Sequence, residues 1–421
     1  MNSEEIEKIK IHATPTIEIN SSNGKTSNDY SIISSEDLME IDGSILEGGG
    51  QILRISLALA VLLRKNLKIT NIRAGRSNPG LQRQHLASAN ALAEISGSKI
   101  ENLKLSSKEI ILKLCDYTNI KQNYNCDCSG AGSIGLMIQQ LIPVLLFSAS
   151  RSYFEIVGGT VVSHAPSTYY VNDVLKLILK RFMNIDLTVE VKRNGTYPRG
   201  GGIVNFSANP TKSIDPINLT SRGDLRSVMI RLVSSENFNK ISVDSIFKNI
   251  FKESKKILNK IVNKKRMENL NVDFSEIDEE ILIEKEYVQL SYSKNEKSFT
   301  LFCQIILKFQ NTIVSVEELY SEKLEKQELN NFDDNIITKL EKLLSNDHEC
   351  LDEFTVDHLI IFMALAKGRS KIHIGNISTH TLTAIEVIKN FIPSLEVIII
   401  CEENKNIIEI EGISWKNENI K

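Results

Sequence analysis

A chain of 421 residues, 42% hydrophobic and 24% charged, has the make-up of a globular protein large enough for more than one domain. Its formal charge of −3 argues against non-specific clamping of long nucleic acid, so any nucleic-acid contact must be a local basic site, such as one that reads an end. The longest clean apolar runs, "LALAVLL" and "LIPVLLF", are too short to span a bilayer.

Residues 1–37 are rich in Ser, Asn, Lys and Glu and lack the apolar core of a signal peptide, which predicts a disordered leader. A β-like run, "LMEI", follows. Next comes "GGGQILRISLALAVLLRKNLKITNIRAGRSNPGLQRQHLASANALAEISG", which reads as apolar helix, strand, Gly/Pro-rich loop and second helix. The same order recurs in "GSIGLMIQQLIPVLLFSASRSYFEIVGGTVVSHAPSTYYVNDVLKLILKRF" and in "VDHLIIFMALAKGRSKIHIGNISTHTLTAIEVIKNF". Two β-like runs follow each segment: Ile100–Leu105 with Ile110–Leu114, Leu187–Arg193 with Ile203–Phe206, and Leu395–Cys401 with Ile407–Ile410. The pattern predicts a mixed α/β (α+β) fold of three repeated βαβαββ units.

The third unit arrives only after a long stretch of different composition. That stretch carries the lysine- and asparagine-rich "FKESKKILNKIVNKKRMENLN" and the β-like "EYVQLSYS" and "SFTLFCQIIL". Residues 220–330 therefore read as a small α/β domain inserted into a large domain of residues 38–219 and 331–421. Six scattered cysteines fit a reducing compartment, and Cys126 and Cys128 lack the second ligand pair of a structural zinc site. Both are expected as buried or half-buried thiols.

In all three units the unusual residues fall where the middle strand meets the second helix: "RAGRSNPGLQRQH", "GGTVVSHAP" and "GNISTHTL". Helix N-termini attract phosphate, and Arg73, Arg76 and Arg83 add guanidinium forks to a loop that also holds Gly75, Pro79 and Gly80. Taken singly these arginines would be a solvated basic loop; together they suggest an anion site. "EGGGQILR", from Glu47 to Arg54, is not a Walker A sequence, but three glycines before a helix allow a ligand close to the backbone. Glu47 and Gln51 on its flanks suggest a metal and phosphate site. "YPRGGG" reads as a hairpin turn.

His380 opens a short amphipathic helix marked by Leu382, Ile385, Ile388 and Ile392, with Thr383 and Glu386 as a capping box. Neutral imidazole, the form a helix N-terminus favours, is the nucleophilic form, so His380 is the candidate nucleophile. His85 and His358 lie inside expected helices beside apolar neighbours, which suits contact or support roles.

Together "EGGGQILR", "IRAGRSNPGLQRQHL", "GGTVVSHAPS", "YPRGGG", "DPINLTSRGD", "DEFTVDHLIIFMALAKG" and "THTLTAIEV" make the chain resemble the RNA 3'-terminal phosphate cyclases, over about residues 38–220 and 350–412. The resemblance is to the catalytic branch, because the non-catalytic relatives that serve ribosome assembly lose the histidine and the "EGGGQ" pattern. It implies three repeated units with an inserted domain, and a reaction driven by ATP with Mg²⁺ or Mn²⁺ at RNA 3'-phosphate ends. His380 would carry AMP, Glu47 would bind the metal, and Arg73, Arg76, Gln84 and His85 would hold phosphates. Pro166 and Phe354 would sandwich the adenine, with Gln139, Asp357 and His358 nearby and Gln51 beside the nucleotide. Phe354 stands where the family often has tyrosine, and His358 where it has glutamine. An intracellular setting, nucleus or cytoplasm, is expected, with no membrane partner; the sequence leaves the oligomeric state open. An enolpyruvyl transferase, built from similar repeats, is the more distant alternative.

Overall fold

The computed structural model describes residues 7–10, 38–115, 121–235, 240–268, 282–290, 299–321, 329–402 and 405–420. Of the leader, only 7–10 falls within these. It departs from the expected disorder by forming β1 (Glu7–Lys10) on the edge of a sheet built from the far end of the chain. An open sheet edge offers unpaired N–H and C=O groups, and even a polar segment can take them.

The first sheet takes β2 (Leu38–Asp42), β3 (Asn66–Thr70), β4 (Lys99–Glu101) and β5 (Ile110–Lys113), with α1 (Gly50–Leu62) and α2 (Arg83–Ser96) between them in the chain. Its order is β2-β3-β5-β4, parallel at β2/β3 and antiparallel elsewhere. The second sheet takes β6 (Asn123–Asp127), β7 (Ser152–Gly158), β8 (Leu187–Arg193) and β9 (Gly202–Ala208). Its helices are α3 (Ile134–Leu146), α4 (Thr168–Tyr170) and α5 (Lys176–Met183), the last two joined by a π turn, Val171–Leu175. The order is β6-β7-β9-β8, with parallel and antiparallel pairs in the same places. "YPRGGG" is the turn from β8 to β9, as expected.

β10 (Asn218–Leu219) begins a third sheet, which the chain leaves before completing it. It first runs through β11 (Leu225–Ser235), α6 (Lys240–Glu268), β12 (Leu282–Leu290), β13 (Thr300–Phe309), β14 (Ile313–Ser321) and α7 (Phe332–Ser345). It then returns through α8 (Glu353–Leu365), β15 (Lys367–Ile374), α9 (Thr379–Phe391), β16 (Glu396–Glu402) and β17 (Lys405–Ile413). The third sheet orders β1-β16-β17-β15-β10, again parallel at its first pair, β10/β15, and antiparallel elsewhere.

Helices α1, α3 and α8 are apolar on nearly every face, the pattern of helices enclosed on all sides. One hydrophobic cluster runs from Ile52 and Leu57 through Ile138 and Leu141 to Leu359, Ile385 and Ile408 and unites the first three sheets. The fourth sheet, β12-β11-β13-β14, has its own cluster, with Ile230, Ile250 and Ile305. α7, placed by sequence beyond a boundary at 330, packs there through Phe332, Ile336 and Leu340, because its apolar stripe matches the β13–β14 face. Among the described residues no helix is long and apolar enough to cross a membrane. All six cysteines are free, and Cys126 and Cys128 are buried.

Candidate active site

α9 starts at Thr379, so His380 is its second residue, within the first turn. The cap is Ser378, whose Oγ accepts from Thr381 N at 2.9 Å, and not the expected box of Thr383 and Glu386. Thr383 lies a turn inside, its hydroxyl donating back to Thr379 O at 2.7 Å. Asp357 of α8 secures the cap: its Oδ1 accepts from Ser378 Oγ at 2.8 Å and from Thr381 Oγ1 at 2.6 Å. Burial pushes the Asp357 carboxyl up to about 6, against the pull of these two hydroxyls.

The glycine stretch brings the opposite end of the chain to His380. α1 begins at Gly50 after Gly49 with no side-chain cap, which leaves its first N–H groups free for an anion. Gln51 Oε1 stands 3.0 Å from His380 Nδ1, and Glu47 Oε2 3.7 Å from the same atom. Glu47 N donates to Thr383 Oγ1 at 3.4 Å, a second tie between the loop and α9. The Glu47 side chain is only 9% exposed; Oε1 pairs with Arg76, and Oε2 is buried without a hydrogen-bond partner. Glycine leaves room for these side chains, since a Cβ on Gly49 would displace the Glu47 carboxylate and one on Gly50 would lie 2.7 Å from His85 Nε2.

Behind this loop lies Arg54, which the sequence reading did not single out. It is one turn after Gly50, and its Nε donates to Gln139 Oε1 at 3.2 Å. Among the described residues no carboxylate pairs with it, and desolvation lowers its pKa to about 10. A desolvated cation held by a neutral amide suits an anionic ligand. His85, third residue of α2, accepts from Gln82 N at Nδ1, which leaves the proton on Nε2. Burial first, then Arg54 and Arg73, push its pKa down to about 3. His358 donates from Nδ1 to Phe354 O at 2.5 Å, while its buried Nε2 has no partner. Burial lowers its pKa to about 4.

Two expected phosphate ligands are partly committed elsewhere. Arg73 donates through one terminal nitrogen to Asn78 O and Gly80 O and so shapes its own loop. Gln84 Oε1 accepts Ser133 N, which ties α2 to the start of α3. Phe354, 40% exposed, lines a cavity of about 840 Å³ with Ala165 and Ser167, the neighbours of buried Pro166. Ser315 and Glu317 of β14 and Asp352, the cap of α8, complete that wall.

The family model for RNA 3'-terminal phosphate cyclase matches residues 45–395. The chain belongs to the RNA 3'-terminal phosphate cyclase family. A relative named RNA 3'-terminal phosphate cyclase in Desulfurococcus amylolyticus is 33% identical over 381 residues, 90% of this chain and 99% of its own. One named probable RNA 3'-terminal phosphate cyclase in Dictyostelium discoideum is 30% identical over 414 residues, 93% of this chain and 88% of its own. Identity to the RNA 3'-terminal phosphate cyclase of Hyperthermus butylicus reaches 44% over 187 residues, 44% of this chain and 51% of the relative.

In this cyclase-family chain the fold joins Glu47, Gln51, Arg76 and His380 directly, and Gln139 and His85 through Arg54. Asp357, expected near the adenine, lies on α8 with Phe354 and also holds the cap of α9. A divalent ion fits the donors at Glu47: a buried carboxylate oxygen without a partner is a hard ligand, and Mg²⁺ commonly takes one or two carboxylates plus phosphate oxygens. Among the described residues there is no cluster of three or more His, Cys, Asp or Glu to build an all-protein cage.

Proposed function

We propose that this chain converts an RNA 3'-terminal phosphate to a 2',3'-cyclic phosphate at the expense of ATP, through AMP bound covalently to His380. One observation carries the reading. His380 Nδ1 lies 3.0 Å from Gln51 Oε1, and an amide oxygen only accepts. Nδ1 therefore holds a proton, and in the neutral ring this tautomer leaves the lone pair, and the nucleophilic position, on Nε2.

Nε2 attacks the α-phosphorus of ATP; a P–N bond forms, the bond to the bridging oxygen breaks, and pyrophosphate leaves. An oxygen of the RNA 3'-phosphate then attacks that phosphorus, breaks the P–N bond and takes the AMP. Last, the neighbouring 2'-hydroxyl attacks the RNA phosphorus and gives its proton to solvent, AMP departs, and the ring closes. Arg54, Arg76 and the free N–H groups of α1 spread the charge that develops on the phosphoryl oxygens. Mg²⁺ or Mn²⁺ at Glu47 would add Lewis-acid charge at the triphosphate. The adenine lies between Pro166 and Phe354, where the half-exposed ring offers a stacking face.

The three sheets with matching strand order and directions support three copies of one βαβαββ unit, with 225–345 inserted into the third. A non-catalytic role in ribosome assembly is disfavoured, because His380, Glu47 and Gln51 are all present and adjoining. Intact mass after incubation with ATP and metal tests the proposal. The expected product retains one AMP, labile to acid and stable to alkali as a histidine phosphoramidate is. Unchanged mass under conditions where RNA is cyclised would overturn it.

A further inference from the structure

The fourth sheet lines the base slot with Phe302 of β13 and with β14, and β14 carries the hydrogen bonds to its walls. Glu317 of β14 accepts from both polar hydrogens of Ser167: Oγ donates to Oε1 at 2.6 Å and N donates to Oε2 at 3.2 Å. Ser167 directly follows Pro166 and caps α4, its Oγ accepting from Tyr170 N at 3.0 Å. Gln304 of β13 donates to Glu317 Oε1 at 3.1 Å and so fixes the carboxylate from behind. Two residues earlier on β14, on the same face of the strand, Ser315 N donates to Asp352 Oδ2 at 3.2 Å. Asp352 caps α8 by accepting from Thr355 N at 2.9 Å, and Phe354 is the second residue of that helix. The two ends of this arrangement meet again where Tyr170 OH bonds Thr355 Oγ1 at 2.7 Å and the Tyr170 ring packs edge-on against Phe354 at 5.7 Å.

We infer that β14 is the positioning element of the base slot: Glu317 sets the Pro166 wall through Ser167, and the Ser315 backbone sets the Phe354 wall through Asp352. This rests on the assignment of Pro166 and Phe354 as the walls that hold the adenine. The residues between 225 and 345 thereby gain a role in nucleotide recognition that their distance from His380 in the chain conceals. A slot is useful only at the right width, and each wall is held by its neighbours: one is a loop, the other the capped first turn of a helix. Ser315, which lines the same cavity, has a buried Oγ without a hydrogen-bond partner.

The test separates base from phosphates. Glu317→Ala, Glu317→Gln and Ser167→Ala, all in the full chain, are titrated with ATP and with inorganic tripolyphosphate, which has no base to stack. Loss of the hydrogen bonds that Glu317 accepts should raise the Kd for ATP roughly tenfold in Glu317→Ala, and less in Glu317→Gln and Ser167→Ala. Tripolyphosphate should bind all variants like the parent, a split that a general loss of structure would not produce. If Glu317→Ala does not fold, the two milder variants decide. Folded variants that bind ATP like the parent, or that lose both ligands equally, would overturn the inference. Phe354→Ala is the control for the slot itself: should it bind ATP like the parent, the walls are misassigned and the inference falls with them. A weakened Phe354→Ala beside unaffected Glu317 variants would sink only the role of β14.

Discussion

Gln51 and His380 lie 329 positions apart in the chain, yet they share one hydrogen bond of 3.0 Å at the mouths of two neighbouring helices. That bond selects the imidazole tautomer and turns Nε2 into the free nitrogen. Gln51→Leu should therefore slow adenylation while sparing ATP affinity, because orientation and not contact is lost. Single-turnover labelling beside ATP titration checks this; unaltered labelling would show that Gln51 does not orient the ring.

His380→Ala should keep the fold and abolish transfer of AMP to protein. The position is half-exposed and the cap belongs to Ser378, so little packing is lost. The variant should still cyclise RNA supplied with AMP already on its 3'-phosphate, since that step uses the RNA's own 2'-hydroxyl. Thermal unfolding, labelling from radioactive ATP and cyclisation of pre-adenylated RNA, all on one preparation, decide it. Full labelling of a folded variant would move the nucleophile elsewhere, with His85 the first candidate.

Glu47→Ala should impair adenylation more at limiting than at saturating metal. Gly49→Ala should do the same without touching the acid, because the new methyl displaces the Glu47 carboxylate while the flexible side chain spares the fold. A deficit that ignores metal concentration in both variants would return the glycine stretch to a purely structural role.

Phe354→Ala should weaken ATP binding by roughly 1–3 kcal/mol, the range for aromatic–base stacking, and Phe354→Tyr should bind nearly as the parent does. Calorimetric titration of the pair is sufficient; equal binding by parent and Ala variant would place the adenine away from α8.

Acid should destabilise the parent partly through His85. In the unfolded chain this histidine gains its proton near pH 6.5, and in the folded chain only near 3, so between them the unfolded state binds more protons. Its contribution to stability is thus present above about pH 6.5 and lost as pH falls. Glu317 acts oppositely: burial raises it from 4.5 to about 7, so its contribution declines as pH rises through that window. Melting temperatures of parent and His85→Gln at pH 7 and 4.5 isolate the histidine, and the parent should lose more. Equal losses would mean that His85 is already protonated when folded.

The glycine stretch, the arginine loop and the histidine at the start of α9 were legible because each signal is local: a few residues of unusual type beside a helical period. The start of α9 was misread because Thr383 and Glu386 have capping-box spacing, and only the fold supplies Asp357 to secure Ser378 instead. Arg54 was hidden in plain view, since an arginine one turn into an apolar helix looks solvated until α3 brings Gln139 to it. The bond from Ser167 to Glu317 spans 150 positions and leaves no trace in either neighbourhood.

The position of α9 near the end of the chain has a consequence for synthesis. The first turns of α1 and α2 emerge early, but His380 leaves the ribosome roughly three hundred residues later. Contacts so distant in sequence close last, after the intervening sheets have formed. On the proposed mechanism a chain that stops before α9 takes up no AMP, so nucleotide label on the protein reports that synthesis has passed His380.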